Sequence, residues 1–171
     1  MRMLETEISR HDWKATECGC TRAATHVPED FVSALGGPLP ARIGEGWADN
    51  HVYIQSNLME PALATAAMLV ASLADRDVPL EWRPHILAVL DQLVCGEQED
   101  VAEQCKWVVR GCTEILFEEI AAGRSKMAAA CAFELLLEYP DLSGRLQVYQ
   151  VQAQENLPER LHAKNLDLNS L

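Results

Sequence analysis

The strongest constraint in this chain is the run PALATAAMLVASLA, Pro61 to Ala74. It is apolar nearly all the way round a helical wheel and broken only by Thr65 and Ser72. A helix without a polar face is stable only when neighbours cover every side of it. The run falls short of the roughly 20 apolar residues a membrane span requires, so the rest of the chain must supply the cover. The N-terminal MRMLETEISRHDWK is mixed in charge and has no apolar export segment. A cytoplasmic protein is expected, with no membrane partner.

The flanking sequence offers suitable neighbours. DRDVP (Asp75–Pro79) ends the apolar run. Trp82, Ile86, Val89, Leu90 and Leu93 then mark an amphipathic helix that stops at Gly96, with Pro84 in its first turn or kinking it. Asp100 to Ala122 reads as one long helix with Val101, Cys105, Val108, Cys112 and Ile115 along its stripe, widened by Leu116 and Ile120 and closed by Gly123. Ser125–Tyr139 forms another, and a last one from Leu142 carries Leu146, Tyr149 and Ala153 on one side. A tail follows from Pro158. The connections DRDVP, CGEQED and AGR are short, so consecutive helices pack as antiparallel neighbours. Convincing alternating strands are absent. The fold class expected is all-α, a short stack of αα-hairpins over residues 41–157.

Upstream the pattern weakens. Residues 1–27 lack sustained periodicity, and residues 1–40 are expected to form an irregular N-terminal cap of the same single domain. VPEDFVSALGGP reads as a short helix, with Pro28 in its first turn, Glu29 and Asp30 at its positive end and Gly36-Gly37-Pro38 stopping it. Trp47, His51, Ile54 and Leu58 recur at helical spacing, although Val52, Tyr53 and Ile54 would also suit a strand.

ALATAAMLVASLADRDVPLEWRPHILAVLDQLV resembles a HEAT repeat: an apolar helix, a turn with Asp and Pro, then a second helix opening with Arg. Asp77 and Arg83 lie six apart, as the turn Asp and second-helix Arg of that family do. ILFEEIAAGRSKMAAACAFELLLEYPDL resembles a second, degenerate unit without the Asp. Together they cover about half the chain, Pro61–Leu142. WADNHVYIQSNLMEPALAT is similar to small bacterial HEAT-like proteins of high-GC organisms, and ten Arg against four Lys fit such a genome. The resemblance implies a right-handed helical stack and a role in binding other proteins.

Charge narrows the partner. With 26 acidic residues against 14 basic ones, the formal net charge is -12, a poor match for nucleic acid or anionic membranes. Eight carboxylates between Asp91 and Glu119 face only Lys106 and Arg110, a local net of -6. A solvated helix face accounts for this. The functional alternative is a docking surface for a basic protein, made of Asp91, Glu97, Glu99, Asp100 and Glu103, with Trp82 as anchor and Arg83 beside it. Of Trp82 and Trp107, Trp82 is the better candidate for exposure, although core packing suits either. An immunity or inhibitor protein that occludes a basic toxin is one concrete form of this non-catalytic reading.

Two constellations could carry chemistry instead. In ECGCTRAATHVPED, Cys18, Cys20 and His26 fall within loop reach, and His11 would complete H-x₆-C-x-C-x₅-H. That would be a zinc site, since structural zinc takes four Cys or His ligands. The spacing is tighter than the usual C-x₂₋₄-C knuckle. The expectation favoured here is therefore no cofactor, with a turn at Gly19 and small thiols tucked under the first helix. The other four cysteines, Cys95, Cys105, Cys112 and Cys131, fall within helical apolar patterns and are expected to stay reduced. The second constellation is Trp47, Asp49, His51, Tyr53 and Gln55, where His51 could act as a general base oriented by Asp49 or Glu60. No nucleophile motif, phosphate loop or HExxH accompanies it. Packing at a core edge is the simpler account, and no catalytic residue is assigned.

Overall fold

The computed structural model describes residues 2–168. The chain forms two compact units, Met1–Gly111 and Cys112–Leu171. Both are mostly helical, and a two-stranded antiparallel hairpin is the only sheet among the described residues.

In the first unit the apolar run becomes helix α3 (Ala62–Ala74), which is the hub. Helices α1 (Arg2–Ser9), α4 (Arg83–Val94) and α5 (Glu99–Arg110) all pack against it. Ala62, Thr65, Ala66, Met68, Leu69, Ala71, Ser72 and Leu73 are buried on it, and Ile86, Leu87, Val89, Leu90, Leu93 and Val94 on α4. Each large aliphatic side chain so covered contributes about 1.5–3 kcal/mol of transfer free energy, so the packing of α1, α4 and α5 around α3 is a main source of the first unit's stability. Polar groups finish the helix ends. The Asp75 carboxylate accepts the Leu4 amide at 2.9 Å, one of the amides that α1 cannot satisfy within its first turn. Arg83 Nη2 donates to the Leu73 carbonyl at 2.7 Å, closing the C-terminal end of α3.

The remainder of the first unit is less regular. Helix α2 (His26–Leu35) buries Val27, Pro28, Phe31 and Leu35. The hairpin β1 (Tyr53–Ile54) and β2 (Asn57–Leu58) sets Tyr53 opposite Leu58 and Ile54 opposite Asn57. Residues 47–58 therefore do not form the helix that the Trp47–His51–Ile54–Leu58 spacing predicts. Gly44 gathers the amides of Trp47, Ala48 and Asp49 on its one carbonyl, at 2.8–3.2 Å. Asn50 and Gln55 then adopt left-handed φ values of 64° and 59°, which a right-handed helix cannot contain.

The second unit is built from α6 (Thr113–Ala122), α7 (Lys126–Leu136) and α8 (Ser143–Gln152). Leu116, Phe117 and Ile120 of α6 are buried, as are Ala128, Ala129, Ala132, Phe133, Leu135 and Leu136 of α7 and Leu146 of α8. Asn156 Nδ2 donates to the Ile120 and Ala121 carbonyls and so caps α6. Gln150 is buried and donates to the carbonyls of Leu161 and Leu166. The segment after Pro158 is thereby fixed as far as Leu168; residues 169–171 of the expected tail lie outside the described residues.

Several expectations need correction. The long helix from Asp100 to Ala122 is two helices, because Gly111 caps α5 and Cys112 leaves helical φ at -129°. The supposedly aperiodic N-terminus contains α1, whose single buried residue, Leu4, is too weak a pattern to read. Trp82 cannot anchor a partner. It is 1% exposed, and Arg83 only 7%, because both turn inward where a 3₁₀ turn (Leu80–Trp82) feeds α4. Trp107, on α5, is the exposed tryptophan, at 75%. Glu119, counted with the solvated acidic stretch, is buried and pairs with Arg124 at 3.2 Å. Cys95 is exposed and Cys112 and Cys131 are half-buried, so only Cys105 of those four is a core residue.

Candidate metal centre

Cys18, Cys20, His26 and His51 converge. One ligand atom from each lies within 4.8 Å of all the others, and the group is able to hold a metal ion such as zinc. This overturns the expectation that the two thiols pack separately.

Three local structures bring the four side chains together. The first is a closed turn around Gly19. Cys18 N–H donates to the Arg22 carbonyl and Thr21 N–H to the Cys18 carbonyl, both at 2.8 Å, and Glu17 bridges Ala23. The second is the start of α2, where His26 projects back over the turn while its Nδ1 contacts the Ala23 carbonyl at 3.1 Å. The third is the bend before β1, tied to the turn by Gly19 N–H donating to the His51 carbonyl at 2.9 Å. This close approach favours glycine. A Cβ on residue 19 would come within 3.0–3.2 Å of Met59 Cγ and the carbonyls of Asn50 and His51. A further tie joins the Glu17 amide to the Glu60 carboxylate at 2.7 Å.

The distances match one small ion. Cys18 Sγ is 3.3 Å from Cys20 Sγ, 3.4 Å from His26 Nε2 and 3.3 Å from His51 Nδ1. Cys20 Sγ is 3.7 Å from His26 Nε2, and the two histidine nitrogens are 3.1 Å apart. A tetrahedral zinc with Zn–S near 2.3 Å and Zn–N near 2.0–2.1 Å implies edges of about 3.8 Å for S–S, about 3.6 Å for S–N and about 3.4 Å for N–N. Five of the six edges agree with these to within about half an ångström, and the sixth, Cys20–His51, is no longer than 4.8 Å. Two sulfurs and two imidazole nitrogens are a donor set that suits zinc. The second shell fits as well. With Nδ1–H of His26 given to a backbone carbonyl, Nε2 presents its lone pair to the centre, as ligating histidines do.

Electrostatics distinguish the two thiols. The Arg22 guanidinium donates through Nε to Cys20 Sγ at 3.4 Å, and with help from Cys18 it brings the Cys20 thiol down to about 6. Burial pushes Cys18 the other way. At neutral pH the pair therefore already offers one thiolate at the turn's outer edge.

The remaining sequence candidates lie elsewhere. His11, offered as the fourth ligand, lies just beyond α1 and bonds back to Glu7 on that helix at 2.9 Å. His51 takes that place, and Glu60, offered as its orienting carboxylate, serves the Glu17 amide instead. Trp47 is buried against Phe31, ring centroids 4.7 Å apart. Of the acidic docking residues, Glu97, Glu99, Asp100 and Glu103 are exposed and Asp91 is half-buried. Glu97 accepts from Ser56. No helix among the described residues is long and apolar enough to cross a membrane. No protein-family model, curated protein or solved structure matches the chain.

Proposed function

We propose that the chain is a zinc protein in which Cys18, Cys20, His26 and His51 bind one ion. The observation that carries this is the agreement of the five ligand–ligand distances with a zinc tetrahedron. Four protein ligands leave no open position, so the role is structural. The ion clamps the Cys18–His26 turn to the segment that leads through the hairpin into α3. Zinc supplies far more than the local hydrogen bonds can: an apparent 10–16 kcal/mol for structural sites in peptides, against about 1 kcal/mol per bond. Elemental analysis of the purified chain tests this. About one zinc per chain, lost when Cys18 and Cys20 are replaced by Ser, is expected. Metal-free protein whose melting ignores a chelator would remove the proposal.

Exposure of Trp107 on the helix that carries Glu99, Asp100 and Glu103 favours a second, compatible role. In this reading a HEAT-like hairpin body presents α5 to a basic protein, as an immunity or inhibitor protein would, in a reducing compartment where none of the six cysteines is tied in a disulfide. Aromatic anchors flanked by charge are typical of binding hot spots. Trp107→Ala, or charge reversal at Glu97, Glu99, Asp100 and Glu103, should abolish salt-sensitive capture of the partner. Unchanged capture would contradict it.

A further inference from the structure

The two cysteine ligands sit on one tight turn but are unequal in access. Cys18 is 2% exposed, whereas Cys20 is half-buried at the outer edge beside the exposed Arg22. Their sulfurs are 3.3 Å apart with only Gly19 between them in sequence. A disulfide needs about 2.0 Å between sulfurs, so closing this pair takes little more than 1 Å of motion within a turn that already points both sulfurs at one place. Among the described residues, the metal-competent cluster takes its cysteines from this turn and not from the other four.

We propose that Cys20 is an oxidation site and that the Cys18–Cys20 pair is a latch through which a hydroperoxide expels the metal. The proposal rests on the zinc reading above. The Cys20 thiolate attacks one oxygen of the hydroperoxide. The O–O bond breaks, Cys20 becomes a sulfenic acid and the alkoxide or hydroxide takes up a proton. The Cys18 thiolate then attacks Cys20 Sγ, forming the disulfide and releasing hydroxide, which is protonated to water. Two electrons pass from the two sulfurs to the peroxide, and zinc stays divalent throughout. Left with two imidazoles in place of four ligands, the ion dissociates. The clamp on His26 and His51 goes with it, and a dithiol reductant with fresh zinc restores both.

The full-length chain is loaded with zinc, checked by elemental analysis and treated with hydrogen peroxide. Zinc release is followed with a chromogenic chelator, and disulfides are mapped by digestion and mass spectrometry. Zinc should fall from about one per chain to near none, in step with a Cys18–Cys20 disulfide, and dithiothreitol with zinc should reverse both changes. A chain that takes up no zinc before oxidant is added overturns the zinc reading and the latch together. Zinc retained under peroxide, or released with Cys20 carried to sulfinic acid and no Cys18–Cys20 bond, overturns the latch alone.

Discussion

The α3–α4 pair and the Cys18–His26 turn belong to one compact unit but are held by different physics. The two helices bury more than a dozen side chains in the first unit's core, and Asp75 and Arg83 serve their ends. The turn buries Cys18 and Ala24 and relies on a handful of hydrogen bonds and four converging ligands. Apolar burial is spread over many positions, so it tolerates moderate change at most of them. The proposed metal clamp would concentrate stability in four atoms and could be switched off at any one.

That contrast can be broken at either end. Cys18→Ser should have the largest effect. Zinc content should drop to near none, and hydrogen-exchange protection should vanish at the amides of Gly19, Thr21 and Ala24 while those of α3 keep theirs. Equal loss in both regions would mean that the two are not separately held. Next, Leu90→Ala should cost about 2–5 kcal/mol of global stability by cavity formation, read by denaturant unfolding, with zinc stoichiometry unchanged. Gly19→Ala should be milder, about 1–3 kcal/mol from overpacking against Met59 and two carbonyls, and it should weaken zinc binding rather than abolish it. The smallest effect concerns pH. In metal-free protein, alkylation of Cys20 should be half-maximal near pH 6, because the thiolate beside Arg22 forms above about 6 and is lost as pH falls through that value. Arg22→Ala should move the midpoint up toward the ordinary thiol value of about 8.5.

Helix α3 was legible because its information is local: thirteen consecutive residues with hardly a polar atom among them admit few other fates. The break at Gly111 was hidden, since Val108, Cys112 and Ile115 continue a plausible stripe across it. The candidate metal site is half legible. Cys18, Cys20 and His26 are close in sequence and were grouped on that ground. His51 lies 25 residues beyond His26 and arrives through one backbone bond from Gly19 and a bend made by residues with positive φ. No periodicity encodes such a bend, so the sequence leaves His51 at a core edge, with general-base chemistry as the alternative, and offers the nearer His11 as fourth ligand. The relative exposure of Trp82 and Trp107 is hidden for a related reason. Position at a helix start does not say which way an indole turns, and the 3₁₀ turn before α4 turned Trp82 inward.

X-ray absorption at the zinc edge of the purified chain tests the central claim most directly. The account predicts a shell of two sulfurs at about 2.3 Å and two imidazole nitrogens at about 2.0–2.1 Å. The sulfur shell should be lost in Cys18→Ser/Cys20→Ser and one imidazole in His51→Ala. A zinc bound only by oxygen and nitrogen, or a sulfur shell that survives replacement of both cysteines, would contradict it.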